Sequence, residues 1–523
     1  MSTDSDRPSR TVVSDRAAIP TPLAAAIGVL AVGVALGFGD LVAALAAPPS
    51  SPFLAVGDQF IRLTPEPLKQ FAISAFGTYD KQVLLGSMAV VIVLVAVIGG
   101  VLSRRSPLPG IVLVVVLGLV GASSTLASPT FTAAYLLPPL AALLGGVATF
   151  VGLHRLARPS SDGPGARDPR RRVALGLGAA LVGAGVTGVL GRVLAAAGGA
   201  EASRSAVGPL RSSAGQPATF PPPGADFAAS GTPTWITPNA DFYRIDTALQ
   251  VPQVSASDYR LRIHGMVDRE LTLDYEQLRD RALIEAPITM ACVSNDIGGD
   301  LISNAVFLGV PLRDLLAEAG VRPGADQIAS TSVDGFTTGT PVAACTDGRN
   351  AMLALGMNGQ PLPVEHGFPV RMVVPGLYGF VSGCKWITDI ELTTFDSFTS
   401  YWEQRGWAEQ APVKTQSRID VPRADVPVPA GRVTVAGTAW AQHRGISRVE
   451  VRADSGPWQN ADLATDVSID TWRMWRTALD LTPGPHTLQV RATDATGATQ
   501  PEPVSLTIPD GATGWHTVNG MAR

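Results

Sequence analysis

Five apolar runs crowd the first two hundred positions, and nothing else constrains the fold of this chain as strongly. Thr21–Ala46 is nearly all Ala, Val, Leu and Gly, and Val83–Leu102, Leu108–Leu126, Thr132–Leu153 and Val173–Leu194 follow it. Each run is long enough to cross a hydrocarbon core of about 30 Å as a helix. A secretory leader alone would supply one run, so five predict a multi-spanning anchor over residues 18–198. The rest of the 523 residues read as soluble, and the overall 46% hydrophobic content is carried unevenly.

Orientation follows from basic residues in short flanks. Arg7, Arg10 and Arg16 precede the first run, Arg104 and Arg105 separate the second from the third, and Arg155, Arg158, Arg167 and Arg170–Arg172 separate the fourth from the fifth. These flanks are expected on the cytoplasmic side, which makes 1–17 a cytoplasmic tail and puts everything after residue 198 outside. Between runs one and two, Leu68, Phe71, Ala72, Ala75, Phe76 and Tyr79 recur at helical spacing, as an interfacial helix would. Asp40, at the edge of the first run, reads either as an intramembrane functional acid or as an acid at a helix end. Arg170–Arg172 before an apolar run reads either as a twin-arginine export signal or as plain cytoplasmic charge.

The net charge of −4 predicts no nucleic-acid partner. Only His154 of six histidines touches an apolar run and there is no CxxCH, so no haem is expected within the chain. Three cysteines make no disulfide framework, and a Cys345–Cys384 pair is left open. Of forty basic residues four are lysines, and two of these, Lys385 and Lys414, fall in the soluble part.

Residues 199–232 are rich in Ala, Ser, Gly and Pro and read as a linker. Residues 233–420 mix strand-like runs (Tyr259–Gly265, Val370–Val374, Lys385–Leu392) with helix-like ones (Asp274–Arg281, Leu312–Ala319). They show no βαβ rhythm and no GxGxxG after a strand, so an α+β domain is expected rather than a nucleotide-binding sheet. Residues 421–523 carry short strands at Arg432–Gly437, Ser447–Arg452, Arg473–Leu479 and His486–Ala492. That spacing predicts an immunoglobulin-like β-sandwich.

The chemistry centres on Thr289–Gly299, TMACVSNDIGG. Cys292 follows an apolar run and precedes Ser, Asn, Asp and two glycines. A strand ending in such a loop presents its thiol at a domain edge. The sulfur could be a buried structural thiol, a nucleophile, or a ligand to a soft metal that brings its other ligands with it.

Residues 233–523 resemble the sulfite-oxidase family of molybdopterin enzymes. The resemblance is carried by TPNADFYRIDTALQVP (Thr237–Pro252), TMACVSN, MNGQPLPVEHGFPVRMVVPG (Met357–Gly376) and GCKWITDIEL (Gly383–Leu392). GTAWAQHRGISRVEVRADSGPW (Gly437–Trp458) resembles the family's immunoglobulin-like dimerisation domain. The resemblance implies one molybdopterin per chain, with Cys292 ligating molybdenum. It implies that His366, Arg371, Lys385 and the backbone of Gly383 and Cys384 grip the cofactor, and that Asn239, Phe242, Tyr243 and Arg244 close over it. Arg244 is expected to face the substrate. It further implies a separate cytochrome or quinone-linked electron partner and a homodimer through the C-terminal domain.

The chain departs from the family where an oxyanion would bind. The family's W-x-x-R-x-Y segment is Trp402-Glu403-Gln404-Arg405-Gly406-Trp407 here, so Trp407 takes the Tyr position in the pocket. An Arg usually found before a W-H-x-V segment is missing: Trp515-His516-Thr517-Val518 follows Pro509-Asp510-Gly511. Ser294 and Asp296 alter the residues after the cysteine. Lys414 and Arg418 are candidates to restore positive charge. The expected activity is two-electron oxygen-atom transfer on a small oxyanion or an S- or N-oxide. The alternatives are reduction of sulfoxides, protein methionine sulfoxide included, and a non-catalytic sensor or scaffold with an empty pocket.

Overall fold

The computed structural model describes residues 18–46, 50–65, 68, 71, 75–76, 79–128, 131–158, 169–197, 199–213, 219–424 and 426–523. The 1–17 tail, Arg167 and, of the Leu68–Tyr79 periodicity, Ala72 lie outside them. The chain divides into two compact units, Met1–Gly198 and Gly199–Arg523.

Among the described residues of the first unit, five helices are long and apolar enough to cross a membrane: Thr21–Ala46, Lys81–Leu102, Leu108–Leu126, Ala133–Ala157 and Arg171–Gly191. They keep large apolar side chains on the outside, such as Val90, Leu144 and Leu181. Small residues let their backbones approach. A Cβ on Gly28 would strike the backbone of Ala96, and one on Gly100 the backbone of Ala24. Such close contact is how apolar helices associate where lipid offers no hydrophobic drive. A further helix, Pro52–Leu63, lies ahead of the expected interfacial one. Ser51 Oγ donates to Asp40 Oδ1 at 2.6 Å.

The second unit holds four sheets. We number its strands β1 (Arg260–Gly265), β2 (Leu271–Asp274), β3 (Ile284–Ala291), β4 (Ile302–Pro311), β5 (Gln327–Ser332), β6 (Thr337–Pro341), β7 (Met352–Met357), β8 (Gln360–Pro361), β9 (Arg371–Val373) and β10 (Ile387–Thr393). One sheet runs β2-β1-β10-β5-β6 and a second runs β3-β4-β7-β8, with β9 paired to β7. Among the described residues of these two sheets only the β1–β10 pair is parallel, so the first sheet is mixed and the second antiparallel, in keeping with the missing βαβ rhythm. β4 is buried at all ten positions, and Ile263, Ile387, Ile390 and Leu392 are fully buried beside it in one core. Helix Tyr275–Arg279 starts on a reciprocal cap between Asp274 and Gln277, which explains its start within the expected Asp274–Arg281 run. The Lys385–Leu392 strand begins only at Ile387, because Trp386 is left-handed, with φ of 50°.

β11 (Gln416–Val421), β12 (Gly431–Trp440), β13 (Ile446–Ala453), β14 (Gln459–Asn460), β15 (Asp462–Leu463), β16 (Arg473–Leu481), β17 (Gly484–Asp494) and β18 (His516–Ala522) form two four-stranded sheets, β11-β12-β16-β15 and β14-β13-β17-β18. Val435, Val449, Val451, Trp475 and Val490 close the core between them. β11 pairs with β12, so this part begins ahead of residue 421 and includes residues expected to belong to the preceding domain. The expected linker also packs down. Ala200–Val207 is a helix whose Arg204 donates to Pro361 and Leu362 carbonyls. Ala225 is fully buried, and Phe220 stacks on Trp235 at 6.1 Å. Composition alone missed this because small residues pack closely as readily as they flex.

A third cluster joins the two parts of the unit. Trp235, Ala291, Val293, Tyr378, Phe380, Trp407, Trp440 and Trp472 share it. His516 also lies at this join, its Nδ1 accepting the Ile419 N–H at 2.9 Å. Burial, then the nearby Arg418, push its pKa down to about 4.

Two stability measurements follow. Truncation Ile390→Ala removes a fully buried side chain and should cost about 2–5 kcal/mol, read as a lower urea midpoint of the detergent-solubilised protein. The depressed His516 pKa means that the folded state resists a proton the unfolded state takes up. Its contribution is therefore complete above the ordinary value near 6.5 and lost as pH falls toward 4. By pH 5 the loss should be about 1–2 kcal/mol, and His516→Gln should flatten that part of the stability–pH curve.

Candidate functional site

β3 delivers Cys292 to the join between the two parts of the unit. The Cys292 N–H donates to Leu301 O at 2.9 Å, and the Asn295 N–H donates back to Cys292 O at 3.1 Å. Asn295 Oδ1 accepts the Leu301 N–H at 2.8 Å and closes the loop. Gly298, at φ of 77°, passes so near the His516 ring that a Cβ there would collide with it. The sulfur is nearly buried, at 9% exposure. Burial raises the thiol pKa, and the Ser294 N–H and hydroxyl and the Val293 N–H work against that rise. Donors aimed at sulfur favour the thiolate, the form that binds metal. Two phenols, Tyr243 and Tyr378, lie within electrostatic reach of Cys292. Both stay protonated. Burial raises Tyr243, and burial pushes Tyr378 up to about 12. No group of three or more His, Cys, Asp or Glu is placed to hold a metal ion among the described residues.

Beside this loop lies a cluster of buried cations. Arg371 opens β9, is 5% exposed, and donates from Nη1 to His366 O at 3.2 Å. Its Nε has no hydrogen-bond partner, and it makes no ion pair among the described residues. Burial lowers its pKa to about 10. Lys385 Nζ donates to Asp246 Oδ2 at 2.9 Å and lies 4.7 Å from the Trp386 ring centroid. Burial takes Lys385 to about 8 against the pull of Asp246, and Arg371 and Arg244 lower it further. Gly367, at φ of 113°, lets the backbone pass against Lys385 and Arg371, where a Cβ would crowd both. His366 Nε2 bonds the Asn239 carbonyl at 3.0 Å. Burial and then Arg371 drop its pKa to about 4. Phe242 lies edge-on to His366 at 5.4 Å and stacked on Tyr243 at 5.5 Å. Asn239 Oδ1 accepts from Asn358 Nδ2 at 2.8 Å.

Buried cations that outnumber the carboxylate bonded to them, with an unspent guanidinium N–H, fit a buried anion. A phosphate-bearing group with its metal end toward Cys292 suits this donor set.

Several expected residues sit differently. Arg244 lies 3.4 Å from Asp246 and acts on His366 and Lys385, so it joins the cation cluster. The Gly383 N–H is spent on Gly379 O at 2.8 Å, and Cys384 is fully buried in the core. Cys345 and Cys384 are both free, so no disulfide links them. Trp407 is 5% exposed, packed on Phe380 and Trp402, and its indole N–H has no partner. Arg418 is spent on Asp420 at 2.6 Å and Gly299 O at 2.7 Å, and Lys414 on Asp510 at 2.8 Å and Gly511 O at 2.7 Å. Sequence reading missed Asp246 and Tyr378. The first stands two places from Arg244, and the second between two matched segments, in VVPGLYGF.

Residues 248–402 match the family model of the oxidoreductase molybdopterin binding domain. Sulfite oxidase of Gallus gallus is 30% identical over 322 residues, covering 52% of this chain and 69% of that one. Mitochondrial sulfite oxidase of Rattus norvegicus is 30% identical over 292 residues, covering 47% of this chain and 53% of the relative, so the chain spans about half of that protein's length. An uncharacterized oxidoreductase of Bacillus subtilis (strain 168), YuiH, is 32% identical over 149 residues, covering 28% of this chain and 72% of the relative. With a molybdopterin-binding domain and a sulfite oxidase 30% identical over more than two thirds of its length, the chain belongs to the sulfite-oxidase family of molybdopterin oxidoreductases.

Proposed function

We propose that the chain is a membrane-anchored oxidoreductase that transfers an oxygen atom to or from a small substrate at the outer face of the cytoplasmic membrane. The observation that carries this reading is the pairing of Cys292 with the buried cluster of Arg371, Lys385 and His366. When bound, molybdopterin supplies two-electron oxygen-atom transfer at molybdenum. Cys292 holds the metal, and its loop N–H groups stabilise the thiolate. Arg371 and Lys385 neutralise the cofactor's phosphate, with Arg244 at the more exposed edge. Neutral His366 donates from Nε2 to the Asn239 carbonyl, which leaves Nδ1 free to accept. Phe242 and Tyr243 cover the pterin and exclude water.

The five apolar helices and the Arg-rich flanks support an anchor with residues 199–523 outside. The shared core of the two C-terminal sheets supports an immunoglobulin-like domain, with dimerisation its inherited role. Electrons pass to or from a separate cytochrome or quinone-linked partner. Joint retention of Cys292, His366, Arg371 and Lys385 argues against an empty scaffold.

Sulfite, the substrate that the relatives' names imply, is one candidate. A second reading, reduction of a sulfoxide or N-oxide, is favoured by Trp407 and by the ion pairs that engage Lys414 and Arg418. Both leave little free positive charge for a dianion.

Elemental mass spectrometry on protein purified from membranes of a cofactor-producing host tests the proposal. Wild type should carry close to one molybdenum per chain, and Cys292→Ala clearly less. A wild-type value near zero with pterin also absent would sink the enzyme reading. Arg371→Met and Lys385→Met should each lower pterin content severalfold, because each removes a buried cation facing the phosphate. Unchanged pterin in both would remove the cluster from the cofactor site.

A further inference from the structure

A second group of residues near Cys292 is organised around one phenol. Tyr378 shares a buried cluster with Ala291 and Val293, the two chain neighbours of Cys292, and with Phe380 and Trp407. The next residue, Gly379, lies against Ala291 O and the Tyr243 hydroxyl, with room there for no more than a Cβ. The Tyr378 oxygen accepts the backbone N–H of Lys414 at 3.4 Å. Its own hydrogen has no acceptor among the described residues.

Lys414 is held from above. Its Nζ donates to Asp510 Oδ1 at 2.8 Å and to Gly511 O at 2.7 Å. Gly511, at φ of 97°, runs directly over the phenol, since a Cβ there would lie 2.6 Å from the Tyr378 hydroxyl. The Lys414–Asp510 pair thus sits beside the hydroxyl of a phenol that lies within electrostatic reach of Cys292. Its neighbours are balanced in the same way. Arg418 is matched by Asp420 at 2.6 Å and Arg444 by Asp494 at 3.0 Å. Each of these three cations has its own carboxylate, whereas on the cofactor side Arg244 and Lys385 share Asp246 and Arg371 makes no ion pair among the described residues.

Asp510 is 49% and Lys414 25% exposed. An ion pair that wet contributes little to folding, so stability does not explain it. Its effect is on charge. An ammonium pointed at the approach would attract anions, and the carboxylate cancels it.

We infer that Lys414–Asp510 is the specificity element of this site: it keeps the approach to Cys292 neutral and sets the Tyr378 hydroxyl to donate to an uncharged oxygen. The substrate class is then a neutral S- or N-oxide rather than an oxyanion. The inference rests on the molybdopterin reading above.

The test uses membrane-purified wild type, Asp510→Asn, and the double variant Asp510→Asn with Lys414→Gln. Molybdenum content is measured first. Inorganic phosphate is then titrated against the Mo(V) electron paramagnetic resonance signal. Wild type should be insensitive, Asp510→Asn should respond at a concentration at least tenfold lower, and the double variant should return to the wild-type response. Tyr378→Phe, with normal molybdenum content, should lower kcat for dimethyl sulfoxide reduction at least tenfold and raise KM far less. Equal phosphate responses in all three proteins, each with normal molybdenum, overturn the inference and leave the molybdopterin reading intact. A wild type already sensitive to phosphate does the same. Metal-free wild type overturns the molybdopterin reading itself, and this inference with it.

Discussion

The second unit depends on keeping positive charge where water is scarce. Arg371 and Lys385 are 5% and 8% exposed, and a buried charge costs several kcal/mol unless it is met by opposite charge and hydrogen bonds. One carboxylate, Asp246, bonds Lys385 and lies near Arg244, while Arg371 keeps an unspent Nε–H. Burial lowers the pKa of Arg371, Lys385 and His366 alike. A phosphate-bearing cofactor resolves this shortage, which makes cofactor binding and the order of this part of the fold one problem.

The two sheets of the α+β part and the C-terminal sheets meet at the same place. β3 ends at Cys292 against the join, and the cluster of Trp235, Tyr378, Trp407, Trp440 and Trp472 packs it from both sides. Gln442 Nε2 donates to Thr289 O, and the Trp472 N–H donates to Thr289 Oγ1 at 2.7 Å. The cysteine loop is therefore positioned by elements more than a hundred residues away in sequence. Charges near it are met unequally: Arg244 and Lys385 share Asp246 and Arg371 makes no ion pair among the described residues, whereas Lys414, Arg418 and Arg444 each have a carboxylate of their own.

Much of this was legible in the sequence. Apolar runs predict helices by length alone, and their ends differ from expectation by a few residues. The residues expected to hold the cofactor lie in short segments with unusual residue combinations, and the fold brings His366, Arg371 and Lys385 within electrostatic reach of one another. Three things were not legible. Residues 199–232 looked like linker, but Arg204, Phe220 and Ala225 find distant partners. Lys414 and Arg418 looked like free cations, but Asp510 and Asp420 take them up. Tyr378 stands between two matched segments and carried no signal of its own.

The sequence by itself determined the local and compositional properties: apolar helices long enough for a membrane, strand-rich soluble parts, a lone cysteine loop, and the family. Those follow from side-chain type and spacing along the chain. Only the tertiary structure decided which charges are spent and which remain. A charge is neutralised by whatever lies within a few ångströms, and Lys414 and Asp510, ninety-six residues apart in the chain, meet only after the strands between them have packed.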